Sequence, residues 1–300
     1  MKPLNISKIR LDPSQNDISI VLITQNKLRH KRFIVRFNEE FRYKISNVII
    51  YEKNINKYLS VNNNKLDKLE FILKKISAIR FLLIFRKIHS IYKTFFINRR
   101  FRKDMIKSEQ RLNHSFQNKF NKLKLTFSNV SNFDEVYSII HKNKPTFLIS
   151  LGGPLIPTKI LNIVSGFSIN QHAGMSPLFK GNYTTFWPLY RRDILKIGTT
   201  IHLTKSGADS GGIIAQERIS LDQTDTPGSI FHKTVISGTE LMIKVMKKLI
   251  EGKEVECIEQ QPLEGNTYLS KDFTTHHKSF IYNDFDKSFL INELNNIYKI

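Results

Sequence analysis

The chain has 300 residues, 40% of them apolar and 24% charged. That is enough to bury one large core or two smaller ones, and it excludes a collagenous, low-complexity or wholly disordered chain. Lys and Arg number 47 against 26 Asp and Glu, a net charge of +21, and the one cysteine, Cys257, excludes an intramolecular disulfide and a cysteine-rich metal site.

The charge is uneven. Residues 1–150 hold 31 basic and 11 acidic side chains, net +20, whereas residues 151–300 hold 16 and 15. The first residues, MKPLNISKIRLDPSQND, lack the apolar stretch of a signal peptide. The most apolar segment, Phe81–Phe85, is short and flanked by Arg80, Arg86 and Lys87. A cytoplasmic, non-spanning chain is expected.

In chain order, Ile18–Thr24 reads as a buried strand, Lys31–Phe41 as a helix and Asn47–Tyr51 as a second strand. This is a βαβ unit and implies a parallel sheet. Lys65–Phe120 is helical in pattern and basic, with Phe81, Phe85, Tyr92, Phe95, Phe96 and Phe101 interleaved and no Gly or Pro. Two or three helices are expected there. Their apolar stripe could pack on the core, meet an anionic membrane or face nucleic acid. Phe133–His141 reads as a helix, Pro145–Leu151 as a strand, and Gly152, Gly153, Pro154 and Pro157 as a loop. A short helix over Thr158–Ile163, strands over Gly166–Asn170, Ile197–Leu203 and Gly212–Ile219, and a helix over Thr234–Ile250 follow. Tyr268–Thr275 reads as a closing loop. The units expected are 1–55 (the first βαβ part), 56–130 (a basic helical insertion), 131–275 (the catalytic core) and a tail over 276–300.

Asn170 and His172 stand two apart at the end of a predicted strand, so both face one side. Ligands of open α/β sheets sit at such ends. Asp209 lies in a glycine-rich loop between two predicted strands. An amide that donates to a developing oxyanion, an imidazole that takes a proton and a carboxylate that fixes it suit acyl-type transfer to an amine. The Asp209 loop lacks the spacing of a phosphate cradle.

The residues around this trio run Asn170-x-His172, Ser176-Pro177-Leu178-Phe179-x-Gly181, Gly198-Thr199-Thr200-Ile201-His202 and Asp209-x-Gly211-x-Ile213-Ile214-x-Gln216. In that order they resemble the folate-dependent formyltransferase family. Gly152-Gly153-Pro154-Leu155-Ile156-Pro157 resembles that family's donor-binding loop. The resemblance covers about 145–275 well and Ile18–Tyr51 loosely. It implies an α/β fold with a Rossmann-like twisted, mostly parallel sheet, to which the basic helical insertion is added. It further implies 10-formyltetrahydrofolate as donor, no metal, and a tetrahedral intermediate. Asn170, His172 and Asp209 align with the family's catalytic trio. Gly153, Leu155, Ile156, Pro157, Thr204 and Asp209 would hold the donor. His202 aligns with a family histidine and reads either as packing or as chemistry.

The place of the glycine-rich phosphate loop of glycinamide ribonucleotide enzymes reads Thr24-Gln25-Asn26-Lys27-Leu28-Arg29-His30-Lys31, without glycine. Methionyl-tRNA enzymes carry a further β-barrel, for which residues 276–300 are too few. An amino sugar on a nucleotide diphosphate remains the expected acceptor. Arg29, His30 and Lys31 at a helix start would meet the diphosphate, with Ser176 and Trp187 also on the acceptor side; Trp187 reads first as core. The reading from another class is a non-catalytic protein that binds anionic membrane or RNA through its basic segment.

Overall fold

The computed structural model describes residues 5–12, 17–52, 78–261 and 265–284. In chain order the elements are β1 (Ile6–Ile9), β2 (Ile20–Thr24), α1 (Leu28–Phe41), β3 (Ile45–Tyr51), α2 (Ala78–Asn113), α3 (Ser115–Asn121), β4 (Phe127–Val130), α4 (Phe133–Asn143) and β5 (Phe147–Leu151). Then come α5 (Thr158–Leu161), β6 (Phe167–His172), β7 (Phe179–Gly181), α6 (Phe186–Tyr190), β8 (Gly198–Leu203), β9 (Ile213–Arg218), α7 (Pro227–Ile250), β10 (Val255–Ile258), β11 (Asn266–Tyr268) and α8 (Thr275–Asp284).

Nine strands form one sheet in the order β1-β10-β9-β8-β6-β5-β2-β3-β4. Neighbours from β4 to β6 are parallel. Those from β6 to β1 are antiparallel, so only β8 and β10 run against the other seven strands. Side chains alternate across the strands. Ile20 and Leu22 join Phe33, Ile34 and Phe37 of α1 and Met242 and Met246 of α7 in one core. Val21 and Ile23 meet Val136 and Ile140 of α4 on the other face.

Helix α7 begins at Pro227, seven residues before the predicted start. Thr226 caps it by accepting from Ser229 N, and Pro227 needs no amide partner in the first turn. The short strand β11, parallel to β7, ends at Tyr268, where the predicted loop starts, and the helix α8 begins at Thr275 and runs into the predicted tail.

Residues 53–77 and the side chains of Phe81 and Phe85 lie outside the described part. From Ala78 the chain runs as a single 36-residue helix, about 54 Å long at 1.5 Å per residue. It lies against α7 and α8. Ile97 and Phe101 enter a third core with Phe186, Phe273 and Tyr282. Residues 127–130, expected in the insertion, form the edge strand β4 instead. Among the described residues no helix is long and apolar enough to cross a membrane.

Candidate active site

The site forms where parallel β5 and β6 end. Ser150 and Asn170 are cross-strand partners, and Ser150 Oγ donates to Asn170 Oδ1 at 2.8 Å. That bond turns the amide nitrogen of Asn170 toward His202 Nε2 (3.1 Å) and Asp209 Oδ1 (3.4 Å). Gln171, on the opposite face, donates to Val235 O and ties β6 to α7. The two-residue alternation of a strand thus puts Asn170 and His172 on one side of β6 and Gln171 on the other.

Asp209 lies at the centre. It adopts φ +46°, a left-handed conformation that Asp tolerates better than most residues. Its Oδ2 accepts from Gly181 N at 2.7 Å and lies 3.1 Å from His172 Nδ1; its Oδ1 is 3.3 Å from His202 Nε2. Gln260 Nε2 donates to the carbonyls of Asp209 and Gly211 and holds the loop. Gly181 has φ +89°, and a side chain there would collide with the Tyr268 carbonyl, so only glycine brings this amide to Asp209.

His172 meets an acceptor on each ring nitrogen: Asp209 at Nδ1 and Phe179 O at Nε2, 2.8 Å away. Burial by itself lowers the pKa of this imidazole. The charge and hydrogen bond of Asp209 and the Phe179 carbonyl outweigh it and raise the pKa above the usual value. Burial likewise pushes Asp209 up, but the charge and bond of His172 and the contact with His202 hold it far below the usual carboxylate range. The resting pair is imidazolium and carboxylate. His202 donates from Nδ1 to Leu203 O at 2.7 Å, and its Nε2 lies within hydrogen-bond reach of both Asn170 Nδ2 and Asp209 Oδ1. This buried histidine both packs and orients two members of the trio.

The trio lines a cavity of about 1120 Å³. Of the residues predicted at the site, Asn170, His172, Asp209, Gly153, Leu155, Arg29 and His30 reach it. Ile156 instead fills the core under α4, Pro157 is the N-cap of α5, and Thr204, Ser176 and Trp187 stand outside the lining. Trp187 is core: it stacks on Tyr268 and donates to Asn182 O.

The expected diphosphate cluster is dispersed. Successive helical residues fan out around the axis. Lys31 consequently turns to Gln117 on α3, and Arg29 pairs with Glu109 of α2 at 2.9 Å. His30 is 1% exposed, and burial, then the charges of Arg29 and Lys27, push its pKa well below the usual value. It is neutral and is no cation for a phosphate.

The wall opposite the trio went unpredicted. It comes from α2, through Asn98, Phe101, Arg102, Met105 and Glu109, with Lys278 of α8 and His232 of α7. One signal was present: Asp104 and Glu109 are the only acids between residues 71 and 133, amid basic residues. Ser150 also had a signal, as a hydroxyl near the end of an apolar strand.

Residues 106–246 match the formyl transferase family. The methionyl-tRNA formyltransferase of Ligilactobacillus salivarius is 29% identical over 131 residues, 44% of this chain and 41% of that protein. The GDP-perosamine N-formyltransferase of Brucella melitensis is 29% identical over 123 residues, 41% of this chain and 47% of that protein. The aligned part thus spans less than half the length of these relatives. A 4-N formyltransferase from Francisella tularensis superposes with TM-score 0.51 at 16% identity, over 89% of this chain and 87% of that one, which shows a shared fold.

Proposed function

We propose that this chain, whose residues 106–246 carry the formyl transferase match, is an N-formyltransferase that moves a formyl group from 10-formyltetrahydrofolate to an amino sugar on a nucleotide diphosphate. The observation that carries the reading is the convergence of Asn170, His172 and Asp209 in one cavity, with His172 held cationic against Asp209.

The lone pair of the acceptor amine forms the new C–N bond at the formyl carbon, and the carbonyl π pair moves onto oxygen. Asn170 Nδ2 and the His172 Nε2–H, which must give up its bond to Phe179 O as the substrates bind, are the donors for that oxyanion. Collapse breaks the bond to the folate nitrogen. The imidazolium gives this nitrogen a proton and takes one from the new ammonium, so His172 ends as it began. It therefore starts as the acid, where the sequence suggested the base; the acceptors on both ring nitrogens are the reason. Asp209 keeps the ring in place through both steps. Leu155, 59% exposed beside Gly153, offers the donor's ring system an apolar contact.

The acceptor reading rests on α2. A helix across the acceptor side leaves a cavity sized for a nucleotide-bound sugar rather than a tRNA stem. The likeness to the perosamine enzyme supports it. Methionyl-tRNA is the second reading, favoured by the likeness to the methionyl-tRNA enzyme.

A thermal melt with 5-formyltetrahydrofolate tests the donor. At 100 times its Kd the ligand adds about 2.7 kcal/mol, a rise on the order of 5–10 °C. Formyl transfer to UDP-, GDP- and dTDP-linked amino sugars, with methionyl-tRNA in parallel, tests the acceptor. No melt shift at saturation overturns the reading, and turnover of the tRNA alone replaces the acceptor.

A further inference from the structure

The Lys and Arg side chains that line the cavity are Lys27, Arg29, Arg102 and Lys278, and its carboxylates among the described residues are Glu109 and Asp209. Both carboxylates are already taken. Glu109 pairs with Arg29, and Asp209 is held by the imidazoles and the Gly181 amide. Arg102 and Lys278 have no carboxylate partner among the described residues, and they stand together. Asn98 and Arg102 are four residues apart on α2 and so share a face, and Lys278 of α8 donates to Asn98 Oδ1 at 2.9 Å. Two rings back the ammonium of Lys278, which lies 5.2 Å from the centre of Phe101 and 5.9 Å from that of Phe273.

Neighbouring like charges disfavour each other, and partial burial adds to the cost. Burial, then the charge of Arg102, lowers the pKa of Lys278. Glu109 lies seven residues further along α2, about 10 Å by helical rise, where its charge serves Arg29 and Lys27. An anion bound between Arg102 and Lys278 supplies the missing counter-charge. Both groups can be reached from the cavity: Arg102 is exposed and Lys278 is half-buried.

The pair suits a diphosphate better than a single carboxylate. A guanidinium offers a planar fork to one phosphate, and an ammonium offers a compact charge to the next. Its place in the cavity is set by a chain of contacts that starts at the trio. Gly181, whose amide holds Asp209, leads within two residues to Tyr183, and the Tyr183 ring stacks on Phe273 with 4.6 Å between centres. Phe273 in turn backs Lys278. Leu155, given above to the donor, follows β5 instead. A ligand whose amine meets the trio would present its far, anionic end to α2 and α8.

We infer that Arg102 and Lys278 form an anion subsite on the acceptor side of the cavity, which takes the diphosphate of a nucleotide-linked amine. This rests on the acceptor reading above. It moves the diphosphate from the start of α1, where the sequence placed it, to α2 and α8. The two cations bind and orient the acceptor, and the proton transfers stay with the trio.

Arg102→Gln and Lys278→Gln each remove one charge from the subsite. Lys103→Gln removes the same charge from α2 outside the cavity lining and serves as the control. Calorimetry with UDP, GDP and dTDP gives a readout free of turnover. For the nucleoside diphosphate that binds most tightly, Kd should rise about tenfold or more in each cavity variant and stay within about twofold in Lys103→Gln. The Kd of 5-formyltetrahydrofolate should stay within about twofold in all three, which also shows that the variants are folded. With a sugar nucleotide that the enzyme turns over, the two cavity variants should raise the acceptor KM by a like factor and leave kcat within about threefold. Unchanged Kd and KM in both cavity variants, or an equal loss in Lys103→Gln, overturns the subsite. A rise in the folate Kd alone gives the pair to the donor's carboxylates and overturns it as well. If the protein formylates none of the UDP-, GDP- and dTDP-linked amino sugars while a nucleoside diphosphate binds through Arg102 and Lys278, the subsite stands and the acceptor reading falls. If none of the three nucleoside diphosphates binds the unaltered protein, the subsite falls.

Discussion

His172 is 6% exposed with an acceptor on each side, so its charge depends on Asp209. Asp209→Asn removes that charge and retains a residue that tolerates φ +46°. The expected loss in kcat is about 10²–10⁴-fold, with the melt shift from 5-formyltetrahydrofolate preserved; full activity would exclude the assigned role. The pKa of His172 gives a second test. In the unaltered protein it is raised, so the ring is protonated below that value and kcat should fall as pH climbs through it. In Asp209→Asn burial acts with its main counterweight removed, and an NMR titration should place the His172 midpoint below the ordinary 6.5.

At the scale of elements, α2 has to be held in place for the cavity to have its second wall. Asp104 is the clamp. Its carboxylate accepts from Thr226 Oγ1 (2.6 Å), Gly228 N (2.7 Å) and Tyr282 OH (2.6 Å), joining α2 to α7 and α8. Burial, then the charge of Asp104, raises the pKa of Tyr282 and keeps this hydroxyl a donor. Asp104→Ala removes the acceptor of these three donors and of Ser108 Oγ and should cost about 2–3 kcal/mol, a melting temperature lower by roughly 4–12 °C. Hydrogen exchange should rise in α2 and α8 before the sheet. Uniform loss across the sheet would show that the helix is not a separate layer. The other side of α2 is different: Tyr92 and Phe95 are exposed among basic residues, so the apolar stripe seen in the sequence is only partly spent on the core.

For the whole molecule, four buried titratable groups set how stability changes with pH. His30 and His232 have depressed folded values, so the unfolded chain binds more protons. The contribution of each is present above pH 6.5 and is lost as pH falls through its depressed folded value, about 4 for His232. For His232 alone this is about 3 kcal/mol, an order-of-magnitude figure. Asp209 acts in the same direction: its contribution is present above its ordinary value of 3.8 and is lost only as pH falls through its low folded value. His172 has the opposite sign, a raised value whose contribution is full below pH 6.5 and is lost as pH rises through it. Urea midpoints should therefore fall between pH 6.5 and 4, and the fall should be shallower in the His30→Asn, His232→Gln double variant. An equal slope in that variant would contradict the neutral, buried state of both rings.

Much of this molecule is legible along the chain. The five apolar residues of β2, the stripe of α1 and the apolar run of β3 form a parallel βαβ unit because hydrophobic periodicity is a property of sequence neighbours. Asn170 and His172 share a face for the same reason, and the four ordered motifs pointed to Asp209 as their partner. Other features depend on residues far apart. Strand β1 pairs with β10, Ile6 opposite Ile258, across almost the whole sequence. Helix α2 reads as an added basic segment, yet it lines the cavity because Asp104 meets α7 and α8. His30 looks like part of a cationic cluster but is neutral, since Gly152 lies against its ring and Arg29 and Lys27 stand beside it. Turn and pattern signals come from covalent neighbours, so the sequence alone determined the βαβ core and the shared face of Asn170 and His172. Burial, protonation and the facing of a cavity come from contacts between distant segments, so only the tertiary structure decided which side chains the cavity holds and in what charge state.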